Sequence, residues 1–422
     1  MRGDVDRRAF LRWMGLGLGA TSVAACTSGR GWESASPAPT TTTTSTTAAP
    51  IALDGAPAAT VDTSSRVLVV LELQGGNDGL ATVVPAGDPA LAGLRGDLSP
   101  DPDAVIGLAG DVGFHPALAN VAPRLSVVQG VGSYDPDLSH FESFRRLWEG
   151  DPTGQVGYAA SFLGRCCDVL AGDEVVTGVS LGWGPSPALV SSASSTIALA
   201  DLGVAWFLDD ENEWLDPYRR GLAALAEPAG EDRFQVQRTG LRSGLDFVDV
   251  LRDLPEPDGR YPDTELGARF GLAGRIVRSE MGARVIHVPF GDFDTHDDQR
   301  SRHDDLMGQI DAALGAFLRE LDDTGLADRV LVATTSEFGR RVERNGSGTD
   351  HGSASVAMLA GPVAGLSVGD RPSLTRLDDE GNLRTTVSYD DYLATLAEHW
   401  LGVPRSEVFE SAPSTMPELV TA

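Results

Sequence analysis

The chain has 422 residues, 41% of them hydrophobic, and its 33 basic against 61 acidic side chains give a formal net charge of −28. A surface this acidic argues against nucleic acid and anionic lipid as partners. It also disfavours a highly charged anionic substrate, unless metal ions or local arginines reverse the field where that substrate binds.

The first residues read as an export signal. Asp6-Arg7-Arg8-Ala9-Phe10-Leu11 is a twin-arginine motif, followed by an apolar, glycine-rich segment from 13 to 25. That segment is too short and too rich in glycine for a comfortable spanning helix. It ends in Val23-Ala24-Ala25-Cys26, which resembles the lipobox of bacterial lipoproteins, where Cys26 is acylated and becomes the mature N-terminus; an ordinary signal with a chance cysteine is the alternative. Arg2, Arg7, Arg8 and Arg12 against Asp4 and Asp6 give the signal a net of +2, so its removal leaves −30. Export by this route carries folded proteins, which allows a metal to be loaded in the cytoplasm first. The Thr/Ser/Pro/Ala tract from 27 to 64 cannot bury apolar surface and reads as a solvated tether spanning roughly 35 Å. The expected location is outside the cytoplasm, either anchored to the cell membrane by the lipid alone or secreted.

Residues 65–422 suffice for one α/β domain with a helical insert at about 200–282. Cys166 and Cys167 are adjacent, a spacing that strains a disulfide, so they read as packing residues on a helix; no zinc-type CxxC framework is present.

Strand 66–73 (RVLVVLEL) opens the domain, apolar on both faces as a central parallel strand should be. It runs into Gln74-Gly75-Gly76-Asn77-Asp78-Gly79, where Asp78 is either a ligand beyond the strand's carboxyl end or part of a structural turn. Strand 125–131 leads through a loop to Ser139-His140-Phe141-Glu142. That is a capping-box pattern, or else a site hydroxyl and imidazole at the sheet's mouth. A helix is expected over 156–170 and a strand over 174–181, then periodic helices at 231–254 and 263–281 that serve as cover.

Strand 284–290 is followed at once by Asp294 and His296, with Asp298 and His303 close behind. Residues at i and i+2 share one side of an extended chain, so Asp294 and His296 can ligate one ion. His287 and His399 read as core histidines. An amphipathic helix covers 309–321, and strand 329–333 delivers Glu337, Arg340 and Arg341 at its carboxyl end. Asp350 and His351 follow on a Gly/Ser/Asn loop, then strand 356–360 and a packing helix at 386–401. Carboxylates and imidazoles at several strand ends suit a hard or borderline divalent ion, with zinc, manganese, calcium and magnesium all open.

GGNDGL, HFES, FDTH, TSEFGRR and GTDHG, in this order and spacing, resemble an exported bacterial family of unknown function numbered 1501. That family is similar to the alkaline-phosphatase and sulfatase superfamily. The resemblance implies a three-layer α/β sandwich with a mostly parallel sheet, a helical covering region and one or two metal ions at the strand ends. It implies Asp78 as the early carboxylate ligand, Ser139 as nucleophile, and Asp294, His296 and His351 around the other ion, with Glu337 at the strand-end acidic position. This sequence departs by placing Phe338 where the superfamily has an imidazole, so either a second metal site is lost or Asp350 or His140 fills the gap. Two functions are then expected to compete. One is a metal-dependent hydrolase of phosphate or sulfate esters acting on a small molecule or glycan, with Ser139, His140 and Arg340 as catalytic residues and Arg340 and Arg341, or Arg145 and Arg146, clamping the oxyanion. The other is a catalytically degenerate surface lipoprotein that binds a partner or glycan.

Overall fold

A computed structural model describes residues 65–172, 176–200, 215–227, 234–255, 259–364 and 367–421. The twin-arginine motif, Cys26 and the tether lie outside the described residues.

The strands, in chain order, are β1 (Val67–Leu73), β2 (Val83–Val84), β3 (Ile106–Ala109), β4 (Val112–Phe114), β5 (Leu125–Gly132), β6 (Gly178–Ser180) and β7 (Thr196–Ala198), then β8 (Val285–Phe290), β9 (Val330–Thr335), β10 (Gly339–Arg340), β11 (His351–Gly352), β12 (Ser355–Ala360), β13 (Ser367–Val368) and β14 (Val387–Ser388). The main sheet runs β13-β5-β12-β9-β1-β8-β6-β7, with β14 beside β5. β12 pairs antiparallel with both its neighbours and every other pairing in this sheet is parallel, so the expected mostly parallel sheet is the one found.

Alternate residues of β1 divide between two cores. Val67, Val69, Leu71 and Leu73 pack under the helices Gln235–Asp253, Glu265–Ser279 and Gln299–Thr324. Leu68 and Val70 pack with the helices His140–Glu149, Phe162–Leu170 and Tyr389–Thr395 on the other face. A strand apolar on both faces thus becomes the middle of a three-layer sandwich. Trp400, in the π-helical turn Leu396–Leu401 that continues Tyr389–Thr395, is 0% exposed and donates its indole N–H to the Val67 carbonyl at 3.0 Å.

Some expectations are corrected. The helix expected from 156 begins at Phe162, because the buried Asp151 carboxylate accepts the backbone N–H groups of Thr153, Gly154 and Val156 and holds that stretch as a loop. The strand expected over 174–181 is confined to Gly178–Ser180, residues 173–175 lying outside the described set. A small sheet, β2-β4-β3, went unforeseen, since strands of two to four residues leave too little periodicity to read. Cys166 and Cys167 are both buried and free, and burial pushes the Cys166 thiol up to about 12. Among the described residues no helix is long and apolar enough to cross a membrane.

Truncating Trp400 to alanine removes the largest fully buried side chain between β1 and this helical layer. We expect a loss of about 3–5 kcal/mol, read in urea as a lower midpoint at unchanged m-value.

Candidate metal centre

Strand register decides which side chains meet. Leu73 lies beside Phe290, and Glu72 lies between Pro289 and Thr335, so the loops after β1, β8 and β9 leave the sheet at one edge. The inverted β12 begins at that same edge, with Ser355 opposite Val131 near the end of β5. The loop after β5 leads to His140, the loop after β8 carries Asp294 and His296, and the residue after β9 and Ser336 is Glu337. β10 pairs with β11, placing Arg340 opposite His351. Residues over two hundred positions apart in sequence therefore converge, as open parallel sheets arrange at their carboxyl ends.

Three imidazoles surround the Asp294 carboxylate. Asp294 Oδ1 is 3.1 Å from His296 Nε2 and 3.2 Å from His351 Nε2, and Oδ2 is 3.5 Å from His140 Nε2. The two ring nitrogens of His296 and His351 are themselves 3.1 Å apart. Each ring turns its other nitrogen to an acceptor. His351 Nδ1 donates to the Leu138 carbonyl at 2.8 Å and His140 Nδ1 to Glu337 Oε1 at 2.8 Å, and His296 Nδ1 lies 3.3 Å from Asp350 Oδ1. Those partners fix the tautomers and leave three Nε2 lone pairs facing inward. Two neutral lone pairs 3.1 Å apart repel, whereas a shared cation binds both. His140, Asp294 and His351 accordingly form a group that could hold a metal ion among the described residues, and His296 Nε2 lies 3.1 Å from ligand atoms of two of them, Asp294 and His351.

The centre is open outward and held from beneath. Asp294 and His296 side chains are 45% and 44% exposed, while the Arg340 side chain is 0% exposed. Arg340 donates to Asp294 Oδ1 at 2.7 Å, to the carbonyls of Gly76, Thr349 and Phe293 at 2.9–3.0 Å, and to the Gly75 carbonyl. Burial would raise the Asp294 carboxyl, but this guanidinium's hydrogen bond and charge override it and hold the group at about 2. Burial lowers His351 and keeps it neutral, as a ligand requires, while the hydrogen bond to Glu337 raises His140. Asp292 (φ 80°) and Asp298 (φ 46°) bracket the Asp294–His296 loop in the left-handed region, a strain of about 1–3 kcal/mol each. The loop is also gripped by glycines. A Cβ on Gly75 would lie 2.4 Å from Asp294 N, and one on Gly348 2.2 Å from the His296 carbonyl carbon.

The remaining candidates fall elsewhere. Asp78 is buried away from this group, its carboxylate forked by Arg95 and also held by Gln299 and the Leu80 N–H. Glu337 is buried and accepts from His140 and from the Gly75 N–H, so it orients a ligand. Asp350 does the same for His296 and is held by Asn345. Of the two readings of Ser139–Glu142, the capping box does not form. Ser139 makes no side-chain cap bond, its N–H goes to Asp137, and Glu142 pairs with Arg145 and Arg146 instead, leaving an exposed Ser139 hydroxyl beside His140. Arg340 cannot be an oxyanion clamp because its donors are spent on the protein. Arg145 and Arg146 are likewise committed to Glu142, and Arg341 reaches the His351 carbonyl at 3.4 Å. His303 is buried against Thr82 and His115 rather than near the group. Sequence reasoning missed Arg95, Gln299 and the Leu138 carbonyl; a main-chain acceptor has no sequence signal at all.

In Gly348→Ala the new methyl must displace the His296 backbone. We expect metal affinity to fall by about 10–100-fold, measured by competition with a chromogenic chelator. Stability should also depend on His303, which burial lowers from its ordinary 6.5 to about 4. Between those values the unfolded chain binds a proton that the folded chain refuses, so stability is full above 6.5 and falls as pH drops toward 4. The loss is about 3 kcal/mol at most. Urea midpoints across this window should fall in the parent and run flatter in His303→Phe.

Among curated proteins none matches the chain by sequence. Among solved structures it is similar to the phosphonate monoester hydrolase of Agrobacterium radiobacter, at 12% identity and TM-score 0.38 over 80% of this chain and 74% of that one. It is similar too to the PsFucS1 sulfatase from Pseudoalteromonas sp., at 12% and 0.36 over 83% and 70%. A third likeness is to a protein in the alkaline phosphatase superfamily from Vibrio parahaemolyticus, at 9% and 0.35 over 80% and 67%. FDTH, TSEFGRR and GTDHG all fall within residues 252–412, the stretch that matches the family model described as "Protein of unknown function (DUF1501)".

Proposed function

We propose that this protein is an exported, lipid-anchored, metal-dependent hydrolase of phosphate or sulfate esters. The observation that carries the reading is the set of three inward-facing imidazole nitrogens around Asp294, each ring fixed from behind by an acceptor. His140, Asp294, His296 and His351 would hold the ion. A bound divalent ion polarises an ester oxygen and lowers the pKa of a nucleophile beside it. The chain's own contribution is placement. Arg340 keeps Asp294 ionised, Glu337 and Asp350 aim two imidazoles, and among the described residues the centre is half-exposed and open to substrate. The Ser139 hydroxyl, free of any capping duty and adjacent to His140, is the candidate nucleophile. Export and anchoring rest on Arg7, Arg8 and Cys26. The expected substrate is a small-molecule or glycan ester.

One observation favours the degenerate binder instead. Phe338 packs 4.9 Å from the His140 ring and 4.5 Å from the His351 ring, and a phenyl group cannot coordinate. Arg340, Arg145 and Arg146 are also committed to protein partners.

Metal analysis of the folded protein followed by a panel of aryl phosphate and sulfate esters separates the two. Turnover that falls by about 100-fold or more in Asp294→Ala, together with loss of the metal, supports the hydrolase. Tightly bound metal with no turnover on any ester leaves the binder.

A further inference from the structure

We infer that the centre takes a single first-row transition-metal ion, and that Arg95 permanently supplies the positive charge a second ion would bring to Asp78. The inference rests on the metal-centre reading above and sharpens it to one ion of one class.

The donor set decides the class. Three imidazoles with one carboxylate suit zinc, iron, manganese or their neighbours, whereas calcium and magnesium want a shell built of oxygens. Donor spacing decides that one ion suffices. His296 Nε2, His351 Nε2 and Asp294 Oδ1 form a triangle with sides of 3.1, 3.1 and 3.2 Å. Bonds of roughly 2.0–2.2 Å from one ion bring neighbouring donors to about this separation. His140 Nε2 lies 3.5 Å from Asp294 Oδ2 and offers a further donor beside Asp294 and His351.

A second ion lacks ligands. Glu337 is committed to His140 and Gly75, and Asp350 to Asn345 and His296. Phe338 packs against both the His140 and His351 rings and offers no donor. Asp78 is the carboxylate expected at a second ion, and both terminal nitrogens of Arg95 fork it. The pair is 0% and 1% exposed. Arg95 is pinned in turn by the carbonyls of Arg341 and Val342. A guanidinium never loses its proton, so this counter-charge cannot be exchanged for a metal by changing pH.

Chelator-stripped full-length protein, titrated with zinc and with cobalt(II) and weighed by native mass spectrometry, tests the inference without any substrate. We expect one equivalent per chain, a cobalt visible spectrum of an imidazole-rich site, and no displacement by millimolar calcium or magnesium. His296→Ala and His351→Ala should each weaken binding about 10–100-fold, and Asp78→Asn should leave stoichiometry and affinity unchanged. Two equivalents in the parent, occupancy by calcium or magnesium, or a tenfold weaker ion in Asp78→Asn overturns it. Asp78→Asn strands a buried guanidinium and can misfold, but the parent's stoichiometry needs no variant. No metal at all overturns the metal-centre reading as well. One metal without ester turnover removes only the hydrolase.

Discussion

Everything at the strand edge depends on one buried guanidinium. Arg340 ties the turn after β1, the loop after β8 and the segment before β11 to a single planar group, and hands Asp294 its counter-charge in the same act. The geometry requires arginine. Its fork presents five N–H donors at fixed angles, while a lysine ammonium has three donors on a flexible stem and a strongly hydrated charge that resists burial. The chain contains no lysine, so all of its fixed positive charge is carried on such forks. Removing a partner from a buried charge costs about 3–5 kcal/mol, so a lost Arg340 would loosen the three segments together.

The fold was largely legible in the sequence because its central strands are apolar on both faces. VLVVLEL, VIHVPF and VLVATT each announce a buried core strand, and each is one. The small β2-β4-β3 sheet and the short edge strands were not legible, since register against a neighbour defines them. The site divides the same way. Asp294, His296 and His351 could be named from residue type and position, and the structure brings them together. Asp78 looked the same in sequence, an aspartate beyond a strand end, but its environment differs because Arg95 arrives from a helix whose contact nothing in the local sequence announces. Ser139 with Glu142 matched a capping box by spacing alone, and two nearby arginines claimed the glutamate first.

Two carboxylates beneath the same edge serve as supports rather than ligands. Glu337 accepts a hydrogen bond from His140 Nδ1. Glu72, inside β1, accepts the Trp148 indole N–H at 2.7 Å and the Gln74 amide at 2.6 Å. Burial would raise Glu72, yet the nearby His287 and these hydrogen bonds bring it below the usual carboxylate range, so it stays ionised inside the sheet. His140 and Trp148 lie eight residues apart on one helix, about 12 Å along its axis. The helix His140–Glu149 is therefore fastened at both ends, each time to a carboxylate carried on or directly after a core strand. A ligand on a loop can drift by an ångström and lose its ion. His140 escapes this because its position is set by the sheet, through two bonds the hydrophobic core alone could not direct.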